Sequence, residues 1–255
     1  MSEEDVRAIF WPAHKNRKVS FFLKYQNPIL NYHHVGAANG DPTMTVSKEA
    51  FRRHLSFLKD GNRLIPLEDL VSLLAGEVHP LPKKVVVTFD DGYEDLYTNV
   101  FPLIQTHHIP ITVFLVTEWI GKKGFLSWEA VREMSTSQVA FGSHTRSHPY
   151  LPSVTSRKHL EKEVRGSKEL LEDRLGKAVS LFCYPVGGYT DAVKEAVREA
   201  GYKAAVTTNR GVKSAKRDLY ALSRIKMTEA STTPFIFKVK TSGYYEQFKR
   251  RKRPD

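Results

Sequence analysis

The sequence predicts an α/β fold built on a mainly parallel sheet, either doubly wound or closed into a barrel. Short apolar runs alternate with amphipathic helical patterns along most of the chain. Strand-then-helix order repeated over the length of one domain is typical of parallel sheets with helices packed on them. The 255 residues suit one large domain of this kind or two small ones.

Short apolar runs are predicted to form the strands, because they are brief, hydrophobic and bounded by polar residues. They are Ile29–Tyr32, Val85–Phe89, Ile111–Val116, Val139–Phe141, Leu181–Tyr184, Ala204–Thr207 and Leu222–Met227. A weaker candidate is Arg63–Ile65.

Amphipathic segments between these runs are predicted to be helices. Ser47 is a candidate N-cap for the first, whose apolar face carries Phe51, Leu55 and Leu58 and which Gly61 ends. The second is Leu67–Ala75, ended by Gly76. The later helical patterns are a face shared by Leu96, Val100, Leu103 and Ile104, the long segment Ser156–Leu175 closed by Gly176, and Thr190–Ala200 ending at Gly201.

The composition excludes several classes of protein. Hydrophobic residues make up 41% and charged residues 26% of the chain, which is ordinary for a globular domain and excludes disorder, collagen and coiled coil. No apolar run approaches the roughly 18 residues of a membrane span. Cys183 is the single cysteine, so an internal disulfide and a multi-cysteine zinc ribbon are excluded.

The chain carries 39 Lys+Arg against 28 Asp+Glu, a net charge of +11, which suggests a polyanionic partner such as nucleic acid, an anionic membrane or a cell wall. Part of the surplus is the terminal run Lys249–Arg253, which is either a solvated tail or a binding arm. The acidic, polar start lacks the pattern of a signal peptide. We therefore expect either a cytoplasmic protein or the trimmed form of an exported one.

Polar clusters follow several of the predicted strands, where α/β folds place their chemistry. His33 and His34 follow the first strand, Asp90 and Asp91 follow Val85–Phe89, and Tyr184 ends its own strand. His144 and His148 follow Val139–Phe141. These side chains are expected to meet on one rim of the sheet.

Two of these clusters suggest a metal site. The adjacent carboxylates of Asp90 and Asp91 repel each other and need a cation or strong donor nearby, although Asp-Gly is also common in turns. His144 and His148, at i and i+4, suit capture of a transition metal. A site of two histidines and one aspartate leaves room for a water molecule whose pKa the metal lowers to about 7.

The motif TFDDG at Thr88–Gly92, followed by SHTRSH at Ser143–His148, resembles the NodB-homology polysaccharide deacetylases, carbohydrate esterase family 4. The resemblance implies a distorted (β/α) barrel of seven strands, with Asp91, His144 and His148 as metal ligands and Asp90 as general base. It divides the chain into an N-terminal extension over residues 1–27 that packs on the barrel, a catalytic domain over 28–230, and a C-terminal helix and basic tail over 231–255.

Three further stretches resemble the branch of the family that deacetylates poly-β-1,6-N-acetylglucosamine, the polymer of biofilms: 29–35, 182–189 and 222–225. This resemblance implies that His33 is the general acid, since Lys226 occupies the position of the late histidine of the chitin and peptidoglycan branch. The arginine that orients the base in that branch is also absent, and Arg224 is the candidate replacement. A backbone N–H near Tyr184 is expected to bind the oxyanion.

The resemblance implies one divalent ion, zinc, cobalt or nickel, and an N-acetylglucosamine polymer as partner, with the protein a monomer outside the cell or at its surface. The surplus charge is then expected to attach it to an anionic cell surface or membrane, with no nucleic acid involved. Three alternatives remain open. They are a chitooligosaccharide or peptidoglycan deacetylase, a basic nucleic-acid-binding protein supported by the net charge alone, and a catalytically silent carbohydrate-binding relative.

Overall fold

The computed structural model describes residues 26–36, 41–61, 63–76, 83–209 and 218–245. The predicted N-terminal extension, apart from its last two residues, and the basic run Lys249–Arg253 lie outside the described residues, so the predicted domain division stays a prediction. Within the described ranges no helix combines the length and the apolar character that a membrane span requires.

The strands and helices alternate as the sequence predicts. The strands are β1 (Ile29–Tyr32), β2 (His34–Val35), β3 (Thr45–Val46), β4 (Val86–Phe89), β5 (Ile111–Leu115), β6 (Val139–Ser143), β7 (Leu181–Cys183), β8 (Ala204–Thr207), β9 (Leu222–Ser223) and β10 (Ile225–Lys226). The α-helices are α1 (Lys48–Asp60), α2 (Leu67–Ala75), α3 (Phe101–His107), α4 (Trp128–Met134), α5 (Arg157–Leu175), α6 (Asp191–Glu199) and α7 (Pro234–Lys240).

Eight strands form one parallel sheet in the order β10-β1-β4-β5-β6-β7-β8-β9, and β2 pairs with β3 separately. The two edge strands, β9 and β10, are separated in the chain by Arg224 alone. Leu222 pairs with Val206 of β8, whereas Ile225 pairs with Leu30 of β1. The segment therefore closes the sheet into a barrel, and its interruption at Arg224 makes eight strands where seven are predicted.

The predicted helix ends are confirmed where capping chemistry marks them. The side chains of Ser47, Ser156 and Thr190 each accept a backbone N–H in the first turn of α1, α5 and α6. Gly176 ends α5 in the left-handed conformation that glycine adopts without steric cost.

The helical pattern from Leu96 to Ile104 differs from the prediction of one regular helix. A π-helical turn, Leu96–Val100, precedes α3. Pro102 lies in the first turn of α3 and has no N–H to donate to the carbonyl four residues earlier. The hydrogen bonding shifts around it, and the N–H of Phe101 donates to the carbonyl of Leu96.

The strands bury both faces, because alternate side chains point into the barrel and outward to the helices. The interior cluster contains Ile29, Val86, Phe114 and Leu222, and it is joined by residues of α2. The larger outer cluster lies between the strands and the remaining helices. Helix α2 thus contributes apolar side chains to the barrel interior, while polar residues gather where the strands end.

A buried histidine predicts how stability depends on pH. His54 is 2% exposed, its Nδ1 lies 3.0 Å from the Tyr32 hydroxyl, and its ring stacks on Phe237. Burial lowers the pKa of His54 from 6.5 to about 4. As the pH falls from 6.5 towards 4, His54 therefore becomes protonated in the unfolded chain but stays neutral in the folded protein.

We expect the free energy of unfolding to decrease as the pH falls from 6.5 towards 4, with His54 contributing on the order of 2 kcal/mol of that decrease. Urea unfolding of His54→Gln across this range should show a shallower dependence on pH than the wild-type protein. His107→Gln, an exposed position on α3, is the matched control and should retain the wild-type slope. Equal slopes for all three proteins would contradict the assignment.

Candidate active site

The polar residues singled out from the sequence lie together at the carboxyl ends of the strands. His33 follows β1, Asp90 follows β4, His144 follows β6, and Arg224 joins β9 to β10. The parallel register aligns these ends, since Tyr32 pairs with Phe89 and Leu115 with Ser143. The loops after different strands therefore share one rim, as predicted.

Asp90 forms a buried, two-point ion pair with Arg224. The guanidinium donates from Nη1 to Oδ1 at 2.7 Å and from Nη2 to Oδ2 at 2.6 Å. The two residues are 4% and 1% exposed. Burial raises the pKa of Asp90, but the adjacent guanidinium outweighs this effect and holds the pKa well below its usual range. Asp90 is therefore ionised and fixed in orientation.

Asp91 has the opposite electrostatic environment although it is the next residue. Burial and the charge of Asp90 raise the pKa of Asp91 to about 7. Its Oδ1 is buried and has no hydrogen-bond donor among the described residues. The backbone of Asp91 is left-handed, with φ of 70°, a conformation that residues other than glycine rarely adopt. A carboxylate in this position lacks a compensating cation.

Two histidines face that same oxygen. Asp91 Oδ1 lies 3.5 Å from His144 Nε2 and 3.6 Å from His148 Nε2. His144 Nδ1 lies 2.8 Å from the Cys183 carbonyl, an acceptor, so Nδ1 carries the proton and Nε2 presents its lone pair. Burial lowers the pKa of His144 to about 3, which keeps the ring neutral, as metal ligation requires.

These three ligand atoms fit a divalent metal ion. The orphaned Oδ1 of Asp91 and the two imidazole nitrogens converge within 4.8 Å of one another, and this donor set suits zinc-like ions with an open position. A second cluster of Asp90, His144 and Cys183 shares His144. Its Asp90 oxygens are already bound to Arg224, so the cluster with Asp91 is the better site.

His33 and His34 point in different directions, as alternation along an extended strand predicts. His33 Nε2 lies 3.9 Å from Asp90 Oδ2. His34 Nδ1 instead lies 2.9 Å from Asp95 Oδ2, and its ring stacks on Tyr93. Burial, partly offset by Asp90, lowers the pKa of His33 to about 4, so His33 is neutral at neutral pH.

Tyr184 does not offer the free backbone donor that the sequence suggests. Its N–H donates to the Val206 carbonyl at 3.2 Å as part of the sheet. Its ring is buried, and the hydroxyl donates to the Tyr220 carbonyl at 2.9 Å. Both polar groups therefore have partners, and an oxyanion donor at this strand end has to come from a neighbouring residue.

Two further residues belong to the site although sequence reasoning did not assign them there. Cys183 Sγ lies 3.0 Å from Arg224 Nη2, and burial raises the pKa of this thiol well above its usual value, so it stays protonated beside the ion pair. Tyr93 lowers the pKa of the Asp91 carboxyl, although burial and the charge of Asp90 outweigh this effect. A cysteine inside an apolar run gives no sequence signal, whereas Tyr93 directly follows TFDDG.

Comparison with known proteins identifies relatives of this chain. Residues 77–205 match the family model described as "Polysaccharide deacetylase". A Bacillus subtilis protein, YxkH, whose name assigns it only provisionally to the polysaccharide deacetylases, is 31% identical over 202 residues, which cover 79% of this chain and 71% of that protein.

The chain is also similar to a relative that is named for its substrate and to a protein of solved structure. The poly-β-1,6-N-acetyl-D-glucosamine N-deacetylase of Staphylococcus epidermidis is 27% identical over 196 residues, covering 71% of this chain and 67% of that protein. The solved structure of the Streptococcus pyogenes deacetylase PplD in complex with acetate has a TM-score of 0.77 and 27% identity, and the match covers 85% of this chain and 98% of that one.

The buried ion pair makes a prediction about stability. Replacing Arg224 by methionine leaves the Asp90 carboxylate buried without a cation, and we expect a loss of about 3–5 kcal/mol in the free energy of unfolding. Urea unfolding measures it. The double variant Asp90→Asn/Arg224→Met should recover much of the loss, because no uncompensated charge remains.

Arg157→Met is the matched control for this prediction. Arg157 pairs with Glu199 at the surface and is 84% exposed, so its loss should cost less than about 1 kcal/mol. If Arg224→Met unfolded at the same urea concentration as Arg157→Met, the pair with Asp90 would not have the stabilising role that its burial implies.

Proposed function

We propose a substrate and a division of catalytic roles for this chain, which belongs to the polysaccharide deacetylase family. The proposed reaction is hydrolysis of N-acetyl groups on poly-β-1,6-N-acetylglucosamine, which releases acetate and leaves free amines on an exopolysaccharide of biofilms. The observation that carries it is the separation of two adjacent carboxylates, with Asp90 paired to Arg224 and Asp91 facing two histidines.

We assign Asp91, His144 and His148 to hold one divalent ion, for which zinc, cobalt and nickel are the candidates. The chemistry supplied by such an ion is polarisation of the acetamide carbonyl and a lowered pKa of water. The three side chains offer one carboxylate oxygen and two imidazole nitrogens, and this set leaves open positions for substrate and water.

Asp90 is the proposed general base. It is ionised, and Arg224 fixes its orientation at two points. The adjacent Asp91, the proposed ligand, faces His144 and His148 instead. Arg224 therefore acts as the positioning residue for the base. Asp90 Oδ2 lies 3.9 Å from His33 Nε2, so the proton that Asp90 takes from the attacking water can pass to His33 once the two side chains approach to hydrogen-bond distance.

His33 is the proposed general acid. Because its pKa is about 4, His33 is neutral before reaction and has to gain a proton at Nε2 as the attack proceeds. It then donates that proton to the leaving nitrogen as the C–N bond breaks, which yields acetate and a free amine. The side chain is 11% exposed, so the transfer takes place shielded from bulk water.

The preference for β-1,6-linked polymer rests on two features. The Staphylococcus epidermidis relative carries that substrate in its name. In the chitin and peptidoglycan branch a late histidine acts as the general acid, and in this chain Lys226 occupies that position. His33 instead lies near Asp90, the proposed general base. A chitooligosaccharide or peptidoglycan substrate is the competing outcome.

Acetate release from N-acetylglucosamine oligomers tests the proposal. With saturating divalent metal, we expect faster release from β-1,6-linked than from β-1,4-linked oligomers of equal length. Asp90→Asn and His33→Ala should each lower kcat by about 10²–10⁴, the usual contribution of a general base or acid. His107→Gln, on the exposed face of α3, should retain wild-type activity.

Each possible failure identifies a different error. Faster release from the β-1,4 oligomer would show that the substrate is β-1,4-linked, while the proposed mechanism would stand. Undiminished activity of Asp90→Asn, in a protein that still binds metal, would remove Asp90 as base. Undiminished activity of His33→Ala would remove His33 as acid.

We also propose that the protein works outside the cell or at its surface, where an exopolysaccharide substrate is accessible. The surplus positive charge favours contact with an anionic cell wall or membrane. Immunodetection after cell fractionation should find the protein in the culture medium, wall or membrane fraction. Recovery in the cytosolic fraction alone would contradict this location.

A further inference from the structure

A buried glutamate of helix α5 lies outside the set of residues assigned to the reaction. Glu163 is 2% exposed and occupies the face of α5 that also buries Leu160, Val164 and Leu171. A carboxylate in such a place is costly unless donors surround it. Its partners therefore indicate what it does.

Glu163 accepts hydrogen bonds from the loop that joins the two proposed histidine ligands. Its Oε2 accepts the N–H of Arg146 at 3.0 Å and the N–H of Ser147 at 2.9 Å. Its Oε1 accepts the Ser147 hydroxyl at 2.7 Å. The carboxylate thus binds the two residues immediately before His148.

This loop adopts a backbone that side-chain-bearing residues rarely adopt. Thr145 and His148 have φ of 69° and 63°, a left-handed conformation that costs roughly 1 kcal/mol or more for a non-glycine residue. One turn further along α5, the hydroxyls of Ser167 and Ser143 lie 2.7 Å apart, and Ser143 accepts the N–H of Thr145 at 3.1 Å. One face of α5 therefore holds both ends of the loop.

We propose that Glu163 is a positioning residue that fixes His148 against Asp91 and His144 and thereby sets the affinity for the divalent ion. The proposal rests on the metal site of the proposed function. The side chain of His148 is 23% exposed, and its ring touches the rings of Trp119 and His144. The His148 N–H donates to Thr145 Oγ1 at 3.0 Å, and Glu163 holds the two residues between them. Because the ring is only partly enclosed, its placement depends on the loop backbone that these bonds fix.

Titration of Co²⁺ into the metal-free full-length protein tests this role. We expect Glu163→Ala to weaken Co²⁺ binding by about 10–100-fold, the usual effect of removing a group that orients a ligand. Its visible Co²⁺ spectrum should also change, because the ligand geometry relaxes. Glu163→Gln should restore most of the affinity, since an amide oxygen can still accept both backbone N–H groups.

Glu161→Ala is the matched control on the same helix. Glu161 is exposed and pairs with Arg165, so its removal should leave Co²⁺ binding unchanged. Ser147→Ala provides an independent test if Glu163→Ala does not fold. It removes one hydrogen bond to Glu163 and should weaken Co²⁺ binding by about fivefold, equivalent to roughly 1 kcal/mol.

The positioning role would be overturned if Glu163→Ala bound Co²⁺ with wild-type affinity and spectrum, whatever its thermal stability. If Glu163→Ala does not fold, the same result for Ser147→Ala would overturn it. In that case the wild-type protein would still bind Co²⁺ and the Asp91→Ala protein would not, so the proposed function would stand. If the wild-type protein itself bound no Co²⁺, the metal site and the role of Glu163 would be overturned together.

Discussion

The pairing of Asp90 with Arg224 is the interaction on which the rest of the site depends. Two adjacent carboxylates at a buried strand end cannot both remain charged without compensation. Arg224 neutralises Asp90 at two points and leaves Asp91 to the histidines. The same residue stands between β9 and β10, and its N–H donates to the Thr207 carbonyl. Closure of the barrel and electrostatic balance in the site therefore depend on one position.

The loops around this pair are held in unfavourable backbone conformations by contacts from the surrounding barrel. Asp91, Thr145 and His148 are all left-handed, and each is a proposed metal ligand or lies between two proposed ligands. Helix α5 supplies a buried carboxylate to the histidine loop, and the Cys183 carbonyl fixes the tautomer of His144. Such local strain persists where the surroundings determine the conformation, as is common at functional sites.

Much of this architecture was predictable because it follows from local patterns. Helix α2 begins at Leu67 and ends at Ala75 as predicted, and β1 and β8 have their predicted bounds. Polar residues at strand ends identify the rim, because parallel strands align those ends. The split of Leu222–Met227 at Arg224 was not predictable, since it depends on pairing with two different strands. The same holds for Tyr184, whose N–H is bound by a distant strand. Glu163 left a signal in its position on the apolar face of α5, but its partners depend on tertiary packing.

Asp90 and Asp91 are adjacent in the chain, yet we assign one as a base that binds no metal and the other as a metal ligand. Anomalous diffraction from crystals soaked with Co²⁺ or Zn²⁺ distinguishes these two roles. We expect one peak contacting Asp91, His144 and His148, with Asp90 still paired to Arg224. A peak bound by Asp90, His144 and Cys183, or no peak at either cluster, would overturn this assignment.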